Sequence, residues 1–198
     1  MSPKELILTA AVKNIAKNGF FDTTATVIAK EAQISLSTFY DFYTDEAEIM
    51  EEIFALEFQK RFSFYVNIKN WHMDWFLKIN GILNFHLREI EKDPELATII
   101  ITEKMNPYFR QTESVQKFKH LSSIVAEILQ QAVKQNKIHS CNVEATSLII
   151  LGFVDTLTQE YLLTHDLKRL EQTIDNFCQL LKNSLEIIPL EYNEIVNY

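Results

Sequence analysis

Three short helices are signalled within about the first 45 residues, and this spacing constrains the fold more than any other feature. Ser2-Pro3-Lys4-Glu5 combines an N-cap hydroxyl, a proline suited to the first helical position and a glutamate able to answer back as in a capping box. Leu8, Ala11, Ile15 and Ala16 then recur at helical spacing up to the stop at Asn18-Gly19. Thr24 is placed to cap a short helix over Ala25 to Ala32, and Ser35 another over Leu36 to Phe42. Asp45, with Glu48 three residues on, opens a fourth. Three short helices with connections of a few residues have the economy of a helix-turn-helix.

Only 3 glycines and 4 prolines occur in 198 residues, and 47% of the chain is hydrophobic. These figures argue against β-rich, collagenous and disordered chains. No stretch of about 18 residues is free of charge, which excludes a spanning helix. Met1 to Ile15 carries Lys4, Glu5 and Lys13 and lacks a signal-peptide core, so a cytoplasmic protein is expected. Cys141 and Cys178 lie far apart in helical patterns and read as buried thiols rather than a disulfide.

Beyond residue 45 the helices lengthen. Phe54, Phe58 and Phe62 share one face of the fourth, and Trp71, Trp75, Ile79, Ile82 and His86 mark a fifth running to about Glu91. Asp93-Pro94 starts a shorter helix that Asn106-Pro107 ends, and a long one is expected from about Tyr108 to Gln135. Val143 to Thr164 and Leu167 to Ile187 form a last pair, stopped by Pro189. The expected architecture is all-α with about nine helices. Residues 1–45 form a three-helix unit, 46–188 a larger helical bundle and 189–198 an irregular tail.

Between Ile7 and Ile53 stand Ile7-Leu8-x-Ala10-Ala11, Gly19-Phe20, Thr23-Thr24, Ile28-Ala29, Ala32, Ile34-Ser35 and Thr38-Phe39-Tyr40-x-Phe42-Tyr43. In this order and spacing they resemble the TetR family of bacterial transcriptional regulators. The resemblance implies that Leu36–Phe42 is a recognition helix entering the major groove of operator DNA. Ser35, Leu36, Ser37 and Thr38 then occupy its first turn. Tyr40 and Asp41 stand at its outer side, and Lys4 and Thr24 lie toward the phosphate backbone. Read for packing alone, Thr24 and Ser35 are helix caps, and Ile7, Leu8, Ala11, Ile15, Phe20, Ile28, Ala29, Ala32, Ile34, Phe39 and Tyr43 close one small core.

The charge runs against this expectation. The net charge of the chain is −8, and an acidic protein repels DNA on average. Residues 1–50 hold four lysines, no arginine and seven acids, a formal charge of −3. Glu46 stands where family members usually carry a basic residue, and Gln33 replaces the usual turn glycine. DNA binding is therefore expected to be mediated mostly by hydroxyls and amides. The alternative is a ligand- or protein-binding module of the same fold whose acidic head has weakened or lost its hold on DNA.

The resemblance further implies that the bundle forms a homodimer and binds a small effector. Ile149, Gly152, Phe153, Leu170, Ile174, Phe177, Cys178 and Leu181 on the last two helices are the expected seam. The chain is 12% aromatic, and Phe62, Tyr65, Trp71, Trp75, Phe85, Tyr108, Phe109, Phe118 and Phe153 are expected around an apolar, aromatic or acyl ligand, with His86, Arg88, Glu103, His120, Asp155 and Glu160 as the polar groups to orient it. The run Asn84-Phe85-His86, Asp93-Pro94 and the helix of Glu103 is similar to acyl-CoA-responsive members. His72, His86, His120, His139 and His165 lack metal-ligand spacing, the glycines stand alone, and no nucleophile–base pair is apparent. No metal, cofactor, enzymatic activity or membrane partner is expected. The implied function is a ligand-responsive dimeric regulator, a repressor released from its operator by the effector.

Overall fold

The computed structural model describes residues 1–187. Its helices are α1 (Pro3–Asn18), α2 (Ala25–Glu31), α3 (Leu36–Tyr40), α4 (Glu46–Asn70), α5 (Trp75–Lys92), α6 (Pro94–Glu103), α7 (Glu113–Gln116), α8 (Lys119–Lys134), α9 (Val143–Thr164) and α10 (Leu167–Leu185). Among the described residues there is no strand, only an isolated bridge between Ile138 and Glu186. Counting the single turn α7 with α8 gives the nine helices read from the sequence. The expected tail, 189–198, lies outside the described residues.

The caps form where the side chains called for them. The Glu5 amide donates to Ser2 Oγ while the Ser2 amide donates to the Glu5 carboxylate, closing the capping box. Thr24, Ser35 and Asp45 accept from the amides of Val27, Thr38 and Glu48 at the heads of α2, α3 and α4. Substituting such a cap by alanine typically costs about 0.5–2 kcal/mol. Gly19, with φ of 84°, ends α1 in a backbone shape that side chains resist. Gln33 sits at φ 56° in the turn between α2 and α3, which explains why glycine is the usual residue there.

One expected helix is broken. Instead of starting near Tyr108, α8 begins at Lys119. Asn106 makes a local turn: its side-chain oxygen accepts from the Tyr108 amide, and its amide group donates to Glu103. The aromatic pair that follows packs on the N-terminal unit, with Phe109 edge-on to Phe20 at 4.7 Å and Tyr108 stacked on Phe20 at 5.8 Å. Hydrophobic burial of a buried ring, worth about 1.5–3 kcal/mol, outweighs the helix propensity of this stretch.

Two apolar cores result. One lies within the bundle of α4, α5, α8, α9 and α10. The other holds Ile7, Ala11, Ile15, Ile28, Ala29, Phe39 and Tyr43 together with Ile49, Ile53 and Phe54 of α4, Ile99 and Ile100 of α6, and Phe109. The core of the three-helix unit thus runs across residue 45 into the larger domain. No described helix is long and apolar enough to cross a membrane.

Candidate functional site

The outer face of the N-terminal head, α1 to α3, carries a hydroxyl cluster. Helix α3 buries Phe39 beneath it, which turns Leu36, Ser37, Tyr40 and Asp41 outward. Ser35 Oγ lies 2.8 Å from Ser37 Oγ and 2.7 Å from Thr38 Oγ1, so three hydroxyls share one cluster at the start of the helix. Tyr40 is 55% exposed, with its ring edge-on to Phe39. Lys4 sits differently from its expected place on the backbone side: its ammonium pairs with Glu52 at 2.9 Å and lies over the Tyr43 ring. Tyr43 in turn donates to Glu52, and burial together with that carboxylate raises the phenol above its ordinary range.

The head's acids are largely engaged in its own structure. Glu5 closes the capping box, Glu31 pairs with Lys13, Asp45 caps α4 and Glu48 accepts from the Thr44 amide. Glu46 reaches back to accept from the Ala25 amide at the N-terminus of α2. The sequence indicated that these amides were open to a DNA phosphate. Instead, an internal carboxylate occupies one of them, and only a three-dimensional neighbour could have revealed it.

A second site lies in the bundle. A cavity of about 280 Å³ is bordered by Arg61, Tyr65, His86, Lys104, Asp155 and an apolar wall that includes Ile90, Ala97, Ile100, Phe118, Leu121 and Leu151. At its polar end the Tyr65 hydroxyl and His86 Nε2 share a 2.7 Å hydrogen bond. Arg61 pairs with Glu57, both nearly inaccessible, and Glu57 also meets Lys60 at 2.5 Å. Burial opposes ionisation of Glu57, but Arg61 and Lys60 together outweigh it and hold the carboxyl below its usual range. Burial, with the cations Arg61 and Lys104 nearby, holds the His86 imidazole well below the usual histidine range.

The buried histidine sets a pH dependence. The unfolded chain takes up a proton near the ordinary histidine value while the folded chain refuses it, so stability is full above that value and falls as pH drops beneath it. The expected loss is up to about 1.4 kcal/mol per pH unit below about pH 6.5. Urea unfolding across this range should show it, and His86→Gln should flatten this part of the profile.

Of the expected effector residues, the cavity takes Tyr65, His86, Phe118 and Asp155. Phe153, stacked on Phe177 at 4.0 Å, and Phe85, stacked on Phe64 at 4.1 Å, pair elsewhere. Phe62 and His120 border a separate groove between α4 and α8. Tyr108 and Phe109 belong to the head, as described, and Trp71 and Trp75 to the far end of the bundle. Helical spacing marked these rings as inward or clustered without telling which space they border. Arg61 and Lys104 were missed; the i, i+4 pair Glu57 and Arg61 within an apolar face was the available signal.

The expected seam also needs correction. Leu170, Ile174 and Cys178 point into the protomer's own core at 1%, 0% and 1% exposure, so no partner can reach them. Phe153, Phe177 and Leu181 are half-buried. Leu148, Ile149 and Leu163 are exposed on α9, as is Gly152, where an added Cβ would meet nothing within 4 Å. Both cysteines are free thiols.

A helix-turn-helix head sharing its core with an all-α, cavity-bearing bundle defines the fold of the TetR-family transcriptional regulators, which many solved structures share. No protein-family model matches the chain. It is similar to YhgD of Bacillus subtilis, an uncharacterized HTH-type transcriptional regulator, at 25% identity over 158 residues, 75% of this chain and 78% of YhgD. The fold matches the TetR-family regulator PfmR of Thermus thermophilus with a TM-score of 0.78 and 16% identity, covering 95% of this chain and all of that one (100%). It also matches the regulator FadR of Bacillus subtilis, solved in complex with stearoyl-CoA, with a TM-score of 0.73 and 21% identity over 88% of this chain and 97% of that one.

Proposed function

We propose that the chain is a dimeric DNA-binding regulator, a repressor whose grip on its operator is released by a small apolar or acyl effector. The observation that carries this reading is the position of α6. Ala97 and Ile100 border the bundle cavity, while Ile99 and Ile100 belong to the core of the reading head. A ligand that displaces this wall acts on both cores at once. It favours one arrangement of the heads over another in proportion to its differential affinity for the two.

The cavity's apolar wall and its polar end suit a ligand with a hydrocarbon body and a polar head. Its volume of about 280 Å³ lies near the lower end of the range for ligand pockets, about 300–1,000 Å³. The stearoyl-CoA bound by the FadR neighbour supports an acyl compound as the effector. In the dimer, each α3 enters one of two successive major grooves, and the exposed face of α9 meets its counterpart. The engagement of Glu5, Glu31, Asp45, Glu46 and Glu48 within the head weighs against the module that has lost DNA binding. Near the hydroxyl cluster, Asp41 is the acid left facing outward.

The test is selection from random duplex DNA at low salt, followed by a salt titration of the enriched site. A near-palindromic site whose affinity falls as salt rises is the expected result; no enrichment after refolding to strip bound ligand would refute DNA binding. On that site Tyr40→Phe should weaken binding by about 1.5–3 kcal/mol, the worth of a hydrogen bond to a charged group. Glu46→Gln should tighten it and steepen the salt dependence, because a competing carboxylate is removed from the α2 terminus. Fatty acids and acyl-CoA thioesters added to the complex should release the DNA.

A further inference from the structure

A second cavity, of about 580 Å³, lies at the end of the bundle where α4 passes into α5, and it borders neither the head nor the apolar cavity. Its lining is largely polar, and its charged groups are Lys69, Lys78 and Lys137 against the single acid Asp74. Asp74 is engaged in capping α5, accepting from the Phe76 amide at 3.0 Å. Lys69 pairs with Glu127 at 2.7 Å on the outer side.

Two deeply buried donor groups in this lining are incompletely satisfied. Lys78 is 8% exposed, and its ammonium donates to the Lys69 carbonyl at 2.6 Å. An ammonium has three donors, and no carboxylate among the described residues pairs with this one. Buried charges are ordinarily paired, because desolvation is costly otherwise. Trp75 is 5% exposed, and its indole N–H is the one buried side-chain donor without an acceptor among the described residues. The 18-residue helix α5 also begins here and adds the positive end of its dipole. The Lys78 ammonium and the helix terminus favour negative charge, and the indole N–H needs an acceptor. Asn70, Gln131 and Gln135 supply neutral hydrogen-bonding groups around it.

We propose that this end of the bundle is a second small-molecule site and that its ligand is an organic anion bearing a phosphate or carboxylate group. The phosphate or carboxylate lies against Lys78, Lys137 and the Trp75 indole, and the amide side chains hold the remainder. The site is independent of the effector cavity, so its occupancy does not depend on the release of DNA by an acyl compound.

The protein carries its own reporter, because its 2 tryptophans, Trp71 and Trp75, both line this cavity. Intrinsic fluorescence of the full chain would be titrated with glycerol phosphate and with citrate, each against potassium chloride at matched ionic strength. A saturable change at millimolar concentration or below, with at least one of the two and not with the chloride, is expected. Which of them saturates decides between phosphate and carboxylate. Lys78→Met and Trp75→Phe, the latter keeping Trp71 as reporter, should weaken binding by at least about tenfold. The exposed Lys137→Gln gives a further variant that leaves the fold untouched, and thermal melting checks all three. Absence of saturation with both anions would overturn the proposal, as would saturation unchanged in folded variants.

Discussion

Glu57→Leu is expected to lower the unfolding free energy by about 3–5 kcal/mol, because it leaves the Arg61 guanidinium buried without its carboxylate. The reverse change, Arg61→Met, should be milder, since Lys60 still neutralises Glu57. Changing both together should recover most of the loss, because a buried ion pair replaced by apolar side chains of similar volume is often neutral in net stability. A double-mutant cycle in urea measures the coupling directly. The pair also has an acid limit. Its carboxyl is held below the usual range, so its contribution is present above the unfolded carboxylate value and disappears as pH falls through the lower folded one. If the double variant proved as unstable as Glu57→Leu, the pair would not be the source of the loss.

Ile149→Glu carries the second large expectation. The residue is 61% exposed on the outer face of α9, beside Gly152 and Leu148, so the protomer itself should tolerate the change. In the proposed dimer two glutamates would face an apolar seam, and sedimentation should show a monomer at micromolar concentration. Operator affinity should fall by about 10²-fold or more, because the second head loses the effective concentration that linkage to the first provides. A dimer that survives Ile149→Glu would place the interface elsewhere. A wild-type monomer would remove the dimer from the functional reading altogether.

Local signals carried the helices well and the sites poorly. Ser2, Thr24, Ser35 and Asp45 announced their helices because a cap depends on residues three positions away. The buried set of the head was legible for a similar reason, since Ile7, Ala11, Ile15, Ile28 and Phe39 repeat with the helical period. Tyr108 and Phe109 misled because helix propensity and docking on Phe20 compete there, and the second depends on residues almost ninety positions away. The same distance problem hid the partner of Glu46, which lies 21 residues back in the chain. Leu170, Ile174 and Cys178 show the remaining limit: an apolar stripe tells which face of a helix is covered, but not whether its own protomer or another covers it.

The carboxylate of Glu46 at the head of α2 has a bearing on how the proposed regulator would search a genome. Binding to DNA of arbitrary sequence is almost wholly electrostatic. A protein whose amide site already holds an anion gains little from a random phosphate. In the proposed complex, contacts to base edges from Ser37 and Thr38 would not share that penalty. In the proposed regulator an acidic head would therefore lower adhesion to the vast excess of wrong sequences more than hold on the right one. It would trade affinity for discrimination, the quantity that decides occupancy when competing sites outnumber the operator by about 10⁶ or more.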